Sequence, residues 1–105
     1  ALGELAEEFG VSRGYLSNIL KKELGMPFSE YLIGKRIQKA KELLLDDKLS
    51  IEEVAEKVGY NDYFYFLKSF KKNTGISPSK YRKSMIEIRN IIPYVIFNNH
   101  CTIYL

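Results

Sequence analysis

Two segments of the chain combine side chains that could bind anions. Residues 12–22 contain three basic side chains and no acidic one, and residues 63–72 contain the same numbers. Each follows an acidic segment, since residues 2–11 contain three Glu and no basic residue, and residues 51–60 contain three Glu and one Lys. Lys and Arg bind phosphate oxygens, and a merely solvated surface would more often mix the two signs. The segregation therefore favours two phosphate-facing patches.

The composition restricts the kinds of protein that the chain can be. Its 105 residues suffice for one domain, and 46% hydrophobic with 28% charged residues is typical of a folded globular protein. No apolar run is long enough to cross a membrane, and no secretory signal is visible. The single cysteine, Cys101, cannot form a disulfide within the chain, which favours a cytoplasmic location.

The residues that could support catalysis or bind a metal form no recognisable pattern. His100 and Cys101 are an isolated pair and fall short of the ligand sets of metal sites. Gly10 and Gly25 have roles in turns, which leaves no glycine-rich phosphate loop. The carboxylates cluster on helices, where they are solvated or favoured by the helix dipole. The sequence predicts no enzyme, no metal and no cofactor.

An internal repeat organises the chain. The segment LAEEFG recurs as VAEKVG 49 residues later, and the pattern KK-x-x-G that begins at Lys21 recurs 50 residues later at Lys71. The change of offset indicates one extra residue in the second copy, near Asn61. Two copies are too few for a solenoid, so the repeat predicts two similar supersecondary units joined by a connector.

Each copy has the pattern of two helices joined by a tight turn. Apolar residues recur at helical spacing, then a glycine ends the first helix, and Ser12 or Asp62 is suited to cap the second. The apolar positions are Leu2, Leu5, Ala6 and Phe9 in the first copy and Ile51, Val54, Ala55 and Val58 in the second. A small Ala and a Gly turn let two helices cross closely, as in a helix-turn-helix unit.

A connector helix is predicted between the units, over residues 29–45, from apolar residues at helical spacing. Seventeen helical residues span about 26 Å, which could hold two recognition helices roughly one DNA turn apart. A last helix is predicted to begin at Ser77-Pro78, with Ser as the cap and Pro in the first helical position.

At this level of detail the chain resembles a known family. The motifs VGY-x-D, Tyr65-Phe66, FKK and G-x-SP-x-x-YR, with the LAEEFG segment, resemble the C-terminal domain of AraC/XylS transcription regulators. The resemblance covers residues 2 to about 84. It implies sequence-specific binding of double-stranded DNA, an N-terminal sensing or receiver domain in the full-length protein, and RNA polymerase as a partner when activating.

The expected fold is all-α, with two tandem helix-turn-helix units on a long linker helix, similar to homeodomains. We expect a DNA-binding domain over residues 1–84, without the additional helix that the family carries before LAEEFG, and a C-terminal extension over 85–105. In the extension, Pro93 is expected to end the helix, and apolar runs at 94–97 and 101–105 are typical of a β-hairpin. It could pack over the domain, mediate dimerisation or lie outside the natural reading frame. The oligomeric state stays open.

The first recognition helix is predicted over residues 12–22, with Leu16, Ile19 and Leu20 buried. The residues expected to face DNA are Arg13, Gly14, Ser17, Asn18 and Lys21. The resemblance implies base contacts at Gly14, Ser17 and Asn18, and an Asn amide can pair with adenine through two hydrogen bonds. Arg13 and Lys21 are suited to phosphate. The alternative is that these polar residues form a solvated face.

The second recognition helix is predicted over residues 62–72, with Phe66 and Phe70 buried. The residues expected to face DNA are Tyr63, Phe64, Leu67, Lys68 and Lys71. Exposed Phe64 and Leu67 would suit thymine methyl groups, although Phe64 could instead belong to the core. Lys68 and Lys71 would contact phosphate or guanine. Beyond this helix, Arg82 could clamp a phosphate or brace the second unit.

A different class of function uses the same surface. In this alternative the chain is a helical protein-interaction module, and Tyr63, Phe64 and Leu67 contact a protein partner. The basic segregation and the repeated unit favour DNA binding over this alternative.

Overall fold

The structure is a computed structural model that describes residues 2–99, with side chains for residues 2–92. Six helices form this part of the chain. The helices are α1 (Leu2–Phe9), α2 (Arg13–Leu24), α3 (Phe28–Leu44), α4 (Ile51–Lys57), α5 (Tyr63–Thr74) and α6 (Pro78–Asn99). No strand occurs within these described residues. The predicted all-α class is confirmed, with the bounds of the two recognition helices and the linker within two residues of those expected.

The helices form two compact units, Ala1–Arg36 and Ile37–Leu105. The boundary lies inside α3, the predicted linker helix. The first unit therefore contains α1, α2 and the start of α3, and the second contains the end of α3 with α4, α5 and α6.

In the first unit, α1 packs against α2 through small and aliphatic side chains, with Ala6 and Leu16 buried. Gly10 adopts a φ of 66°, a left-handed conformation that ends α1 at little cost only for a residue without Cβ. The Ser12 hydroxyl accepts a hydrogen bond from the Tyr15 backbone N–H at 3.1 Å. The predicted cap of α2 is confirmed.

Two apolar residues of the first unit are more exposed than predicted. Phe9 is 66% exposed and Ile19 is 39% exposed, although both were expected in buried stripes. Their equivalents in the second copy, Val58 and Ser69, are 8% and 7% exposed. The second unit also buries Ile37, Ala40 and Leu44 of α3, which precedes its helix pair.

The core of the second unit is largely aromatic. Phe66 and Phe70 are fully buried, as predicted, and their ring centroids lie 5.9 Å apart. Tyr60 meets Phe66 edge to face at 5.3 Å, and Tyr81 of α6 meets Phe70 in the same way at 5.6 Å. Such pairs contribute beyond the area that they bury, so this row of rings joins the turn between α4 and α5 to α5 and α6.

Side-chain caps fix where α4 and α5 begin. The Asp62 carboxylate accepts hydrogen bonds from the Phe64 and Tyr65 N–H groups at 2.9 and 3.2 Å, which confirms the predicted cap. Ser50 and Glu53 form a reciprocal capping box at the start of α4, which was not predicted. One such cap typically contributes about 1 kcal/mol.

Arg82 joins α6 to the end of α3. Its Nε donates to the Leu44 carbonyl at 2.8 Å and its Nη2 donates to the Asp46 carbonyl at 3.2 Å. Arg89 adds a bond from Nη1 to the Leu45 carbonyl at 3.3 Å. A helix leaves its last carbonyls without backbone partners, and cationic donors satisfy them. These contacts support the bracing role of Arg82 over the phosphate clamp.

The C-terminal prediction needs correction. The last helix was expected to end at Pro93, but α6 continues to Asn99, so the expected first hairpin strand at 94–97 is helical. The expected second strand at 101–105 lies outside the described residues. Proline has no N–H, so Pro93 cannot donate to the Arg89 carbonyl, and the helix tolerates the loss of this bond.

We predict that Arg82→Ala lowers the free energy of unfolding by about 1–3 kcal/mol, because it removes two charged donors from carbonyls at a helix end. Urea unfolding followed by circular dichroism measures the change. The matched control is Lys83→Ala, an exposed neighbour on α6 whose removal should change stability by less than about 0.5 kcal/mol. Equal losses from both variants would contradict the bracing role.

Candidate nucleic-acid interface

The outward face of α2 is polar and lies opposite its buried side. Leu16 is buried and holds that side against the unit. Gly14, Asn18 and Lys21 follow one another at helical spacing on the other side, and all three are exposed. Arg13 is exposed and Ser17 is half-buried beside this row. The five residues predicted to face DNA thus share one accessible face, and their contact with DNA stays a prediction.

Gly14 leaves this face open near the N-terminus of α2. A Cβ added at Gly14 would meet no heavy atom within 4 Å, so nothing in the fold requires a glycine there. Another backbone could approach closely at this point, as glycine permits where a ligand comes near the chain.

The outward face of α5 is basic and apolar. Phe64 is 77% exposed, so the alternative that placed it in the core is wrong. Lys68 and Lys71 are exposed along the same row, and Tyr63 and Leu67 are half-buried beside it. The Tyr63 and Phe64 rings lie 5.8 Å apart, which orders the aromatic end of the face. The five predicted residues again share one accessible face.

The two faces are equivalent in the repeat but differ in chemistry. At the offset of 50 residues, each member of the α2 face has a counterpart on α5. Gly14 corresponds to Phe64, Asn18 to Lys68, Lys21 to Lys71, Arg13 to Tyr63 and Ser17 to Leu67. The position nearest the C-terminal end of the helix is Lys in both α2 and α5. Arg13 and Ser17, nearer the N-terminal end of α2, correspond to an aromatic and an aliphatic residue on α5.

A groove of similar size borders each face. In the first unit a groove of about 310 Å³ is lined by Leu2, Arg13, Ser17, Pro27, Phe28, Ser29 and Leu32. In the second unit a groove of about 350 Å³ is lined by Ile51, Tyr63, Leu67, Lys68, Lys71, Ser77, Pro78 and Ser79. Most of these positions correspond in the repeat, so each recognition face adjoins the N-terminus of the helix that follows it. Arg13, Ser17, Tyr63, Leu67, Lys68 and Lys71 were predicted to face DNA. The remaining lining residues were not predicted as part of a site, although the repeat offset could have identified them.

The basic side chains of the two faces are available for a partner. No carboxylate within the described part of the chain lies within 4.0 Å of Arg13, Lys21, Lys68 or Lys71. Lys39 and Glu42 form an ion pair at 3.4 Å, on α3 rather than on either face. Uncompensated cations on an exposed helix face attract phosphate.

Neither a metal-ligand cluster nor a membrane-spanning helix occurs between residues 2 and 99. No three His, Cys, Asp or Glu side chains come together there, and His100-Cys101 lies outside these residues. None of the described helices is both long and apolar enough to cross a membrane.

Comparison with known proteins gives consistent matches. A family model described as a helix-turn-helix domain matches residues 5–84. The Msm operon regulatory protein of Streptococcus mutans is 38% identical over 89 residues, which is 85% of this chain and 31% of that protein. The chain spans between 11% and 31% of the first three curated relatives that it matches.

Solved structures extend the comparison to the fold. The C-terminal domain of the two-component response regulator yesN from Fusobacterium nucleatum is 48% identical, with a TM-score of 0.74 over 78% of this chain and 80% of that one. The DNA-binding domain of AdpA, a global transcriptional factor crystallised in complex with a target DNA, is 26% identical. Its TM-score is 0.80 over 86% of this chain and 81% of the AdpA chain.

We predict very unequal effects on stability for two phenylalanines of α5. Phe66→Ala should lower the free energy of unfolding by about 3–5 kcal/mol, because it empties a fully buried site. Phe64→Ala should change it by less than about 0.5 kcal/mol, because that side chain lies in solvent. Urea unfolding compares the two variants, and a large loss from Phe64→Ala would return this residue to the core.

Proposed function

The chain belongs to the AraC-type family of helix-turn-helix domains, which bind DNA and regulate transcription, and on that premise we propose that α2 and α5 are its two recognition helices. They enter successive major-groove segments of one duplex. The observation that carries the proposal is the equivalence of their outward faces. Each lies beside a similar groove, and each has basic groups that no carboxylate of the described residues pairs with.

In the proposed complex, α2 supplies most of the hydrogen-bonding readout. Asn18 pairs with adenine through its amide, and Ser17 contacts a neighbouring base edge. Gly14 allows the backbone to approach the bases. Arg13 and Lys21, at the two ends of the face, hold phosphates and fix the register of the helix in the groove.

The α5 face contributes affinity and a different kind of base contact. Lys68 and Lys71 neutralise phosphates, and release of the counterions makes their contribution depend on salt. Tyr63, Phe64 and Leu67 face the base edges between those phosphates. The second unit holds α5 by its buried aromatic row, so the face stays fixed while the apolar side chains remain outside.

For the full-length regulator we propose a cytoplasmic protein with an N-terminal sensing or receiver domain. The similarity to a response-regulator domain supports a receiver or sensing partner. When the protein activates, RNA polymerase is the further partner. Residues 1–84 form the DNA-binding domain, and residues 85–105 form an extension that begins within α6. No catalytic step and no cofactor enter this proposal.

Selection from a random library of 30-base-pair duplexes, followed by sequencing of the bound fraction, tests the tandem arrangement. We expect two enriched motifs with centres about 10 base pairs apart, because that spacing is one turn of the duplex. A single motif would mean that one unit contacts only the backbone. No enrichment, together with weak salt-independent binding, would favour the protein-interaction alternative.

Two substitutions should separate base readout from phosphate contact. Lys68→Ala should weaken binding to every duplex similarly and reduce the slope of log K against log salt by about one. Asn18→Ala should instead lose about 1–3 kcal/mol of discrimination at one base position, with the salt slope unchanged. Fluorescence anisotropy titrations over a range of salt measure both effects. If neither change affects affinity, the two faces are not the DNA interface.

A further inference from the structure

The outward face of α5 has no side chain that could read a base through paired hydrogen bonds. Between residues 63 and 72 there is no Asn, Gln, Arg, Asp or Glu. Asn73 follows, but its amide donates to the Ser69 carbonyl of the same helix at 2.7 Å. The lysines are mobile point charges, so hydrogen bonding to base edges gives this face little means of discrimination.

Instead, the outward face of α5 has an apolar surface with lysine side chains beside it. Phe64 is 77% exposed, and the buried aromatic row of α5 does not include it. Leu67, one turn further along, lines the adjacent groove with Ile51 and Pro78. Lys68 and Lys71 lie on the same row and line the same groove. An apolar surface bordered by free lysines suits an anionic partner that also presents apolar groups.

Duplex DNA presents one such group in its major groove, the C5-methyl of thymine. A cytosine methylated at C5 presents a methyl group at the same ring position, although its hydrogen-bonding edge differs. Resting on the function proposed above, we propose that the second unit recognises the C5-methyl group of pyrimidines rather than their hydrogen-bonding pattern. Its half-site then accepts thymine and 5-methylcytosine alike, and affinity for a cytosine-containing half-site rises when that cytosine is methylated.

The first unit provides an internal contrast. Its equivalent positions carry Gly14, Ser17 and Asn18 in place of Phe64, Leu67 and Lys68. An amide reads the donor and acceptor groups of adenine, which are indifferent to the methyl group on its partner thymine. Sensitivity to the methyl group is therefore confined to one half-site.

The test uses the 105-residue chain and three libraries of the same random duplexes. One is made with natural bases, one with deoxyuridine replacing thymidine, and one with deoxyuridine and 5-methylcytosine replacing both natural pyrimidines. With natural bases we expect thymine at the second half-site, and this preference should vanish with deoxyuridine. With 5-methylcytosine it should return, now at methylated cytosine. Each methyl removed should weaken binding about fourfold, as expected for one buried methyl-sized group.

Phe64→Ala should abolish the effect of the methyl group, so that duplexes with and without it bind with equal affinity, while the chain stays folded. The matched control is Tyr65→Ala, which removes an exposed ring that packs beside Tyr60 rather than on the outward row, and it should keep the effect. The same motif in all three libraries would overturn the methyl proposal but leave DNA binding intact. That result would indicate intercalation of Phe64 or contact with the backbone only. No motif in any library would overturn the proposed function itself.

Discussion

Burial of one side of each recognition helix determines which side chains the opposite side presents. Phe66 and Phe70 are fully enclosed on α5, and this fixes the rotation of the helix about its axis. A rotation by one residue, about 100°, would exchange Phe64 for Tyr65 on the outward row. The whole functional surface of the second unit therefore depends on the packing of two phenylalanine rings.

The two units hold their recognition helices differently. In the second, aromatic packing and the Asp62 cap hold α5, and Arg82 joins the neighbouring α6 to the end of α3. In the first, α2 rests on α1 with fewer buried residues, and apolar side chains such as Ile19 remain accessible. A firmly held helix can place rigid apolar groups accurately.

The sequence predicted the elements well where local signals agreed. Glycine turns, the Ser12 and Asp62 caps and the repeat offset locate both helix pairs, because each depends on a few neighbouring residues. It failed where long-range packing decides, as at Phe9 and Ile19, which were expected in buried stripes and are exposed. It also failed at Pro93, which was expected to end the last helix, because the helix continues on both sides of this proline. The two Arg82 contacts span 38 and 36 residues of the sequence and carry no local signal.

Hydroxyl-radical footprinting of the chain on a selected duplex tests most directly whether both helix-turn-helix units bind the DNA. We expect two protected stretches on one face of the duplex, with centres about 10 base pairs apart. The double variant Lys68→Ala, Lys71→Ala should lose one stretch and keep the other, because those two lysines belong to the second unit alone. A single protected stretch that the double variant leaves unchanged would contradict the account, since α5 would then not be on the DNA.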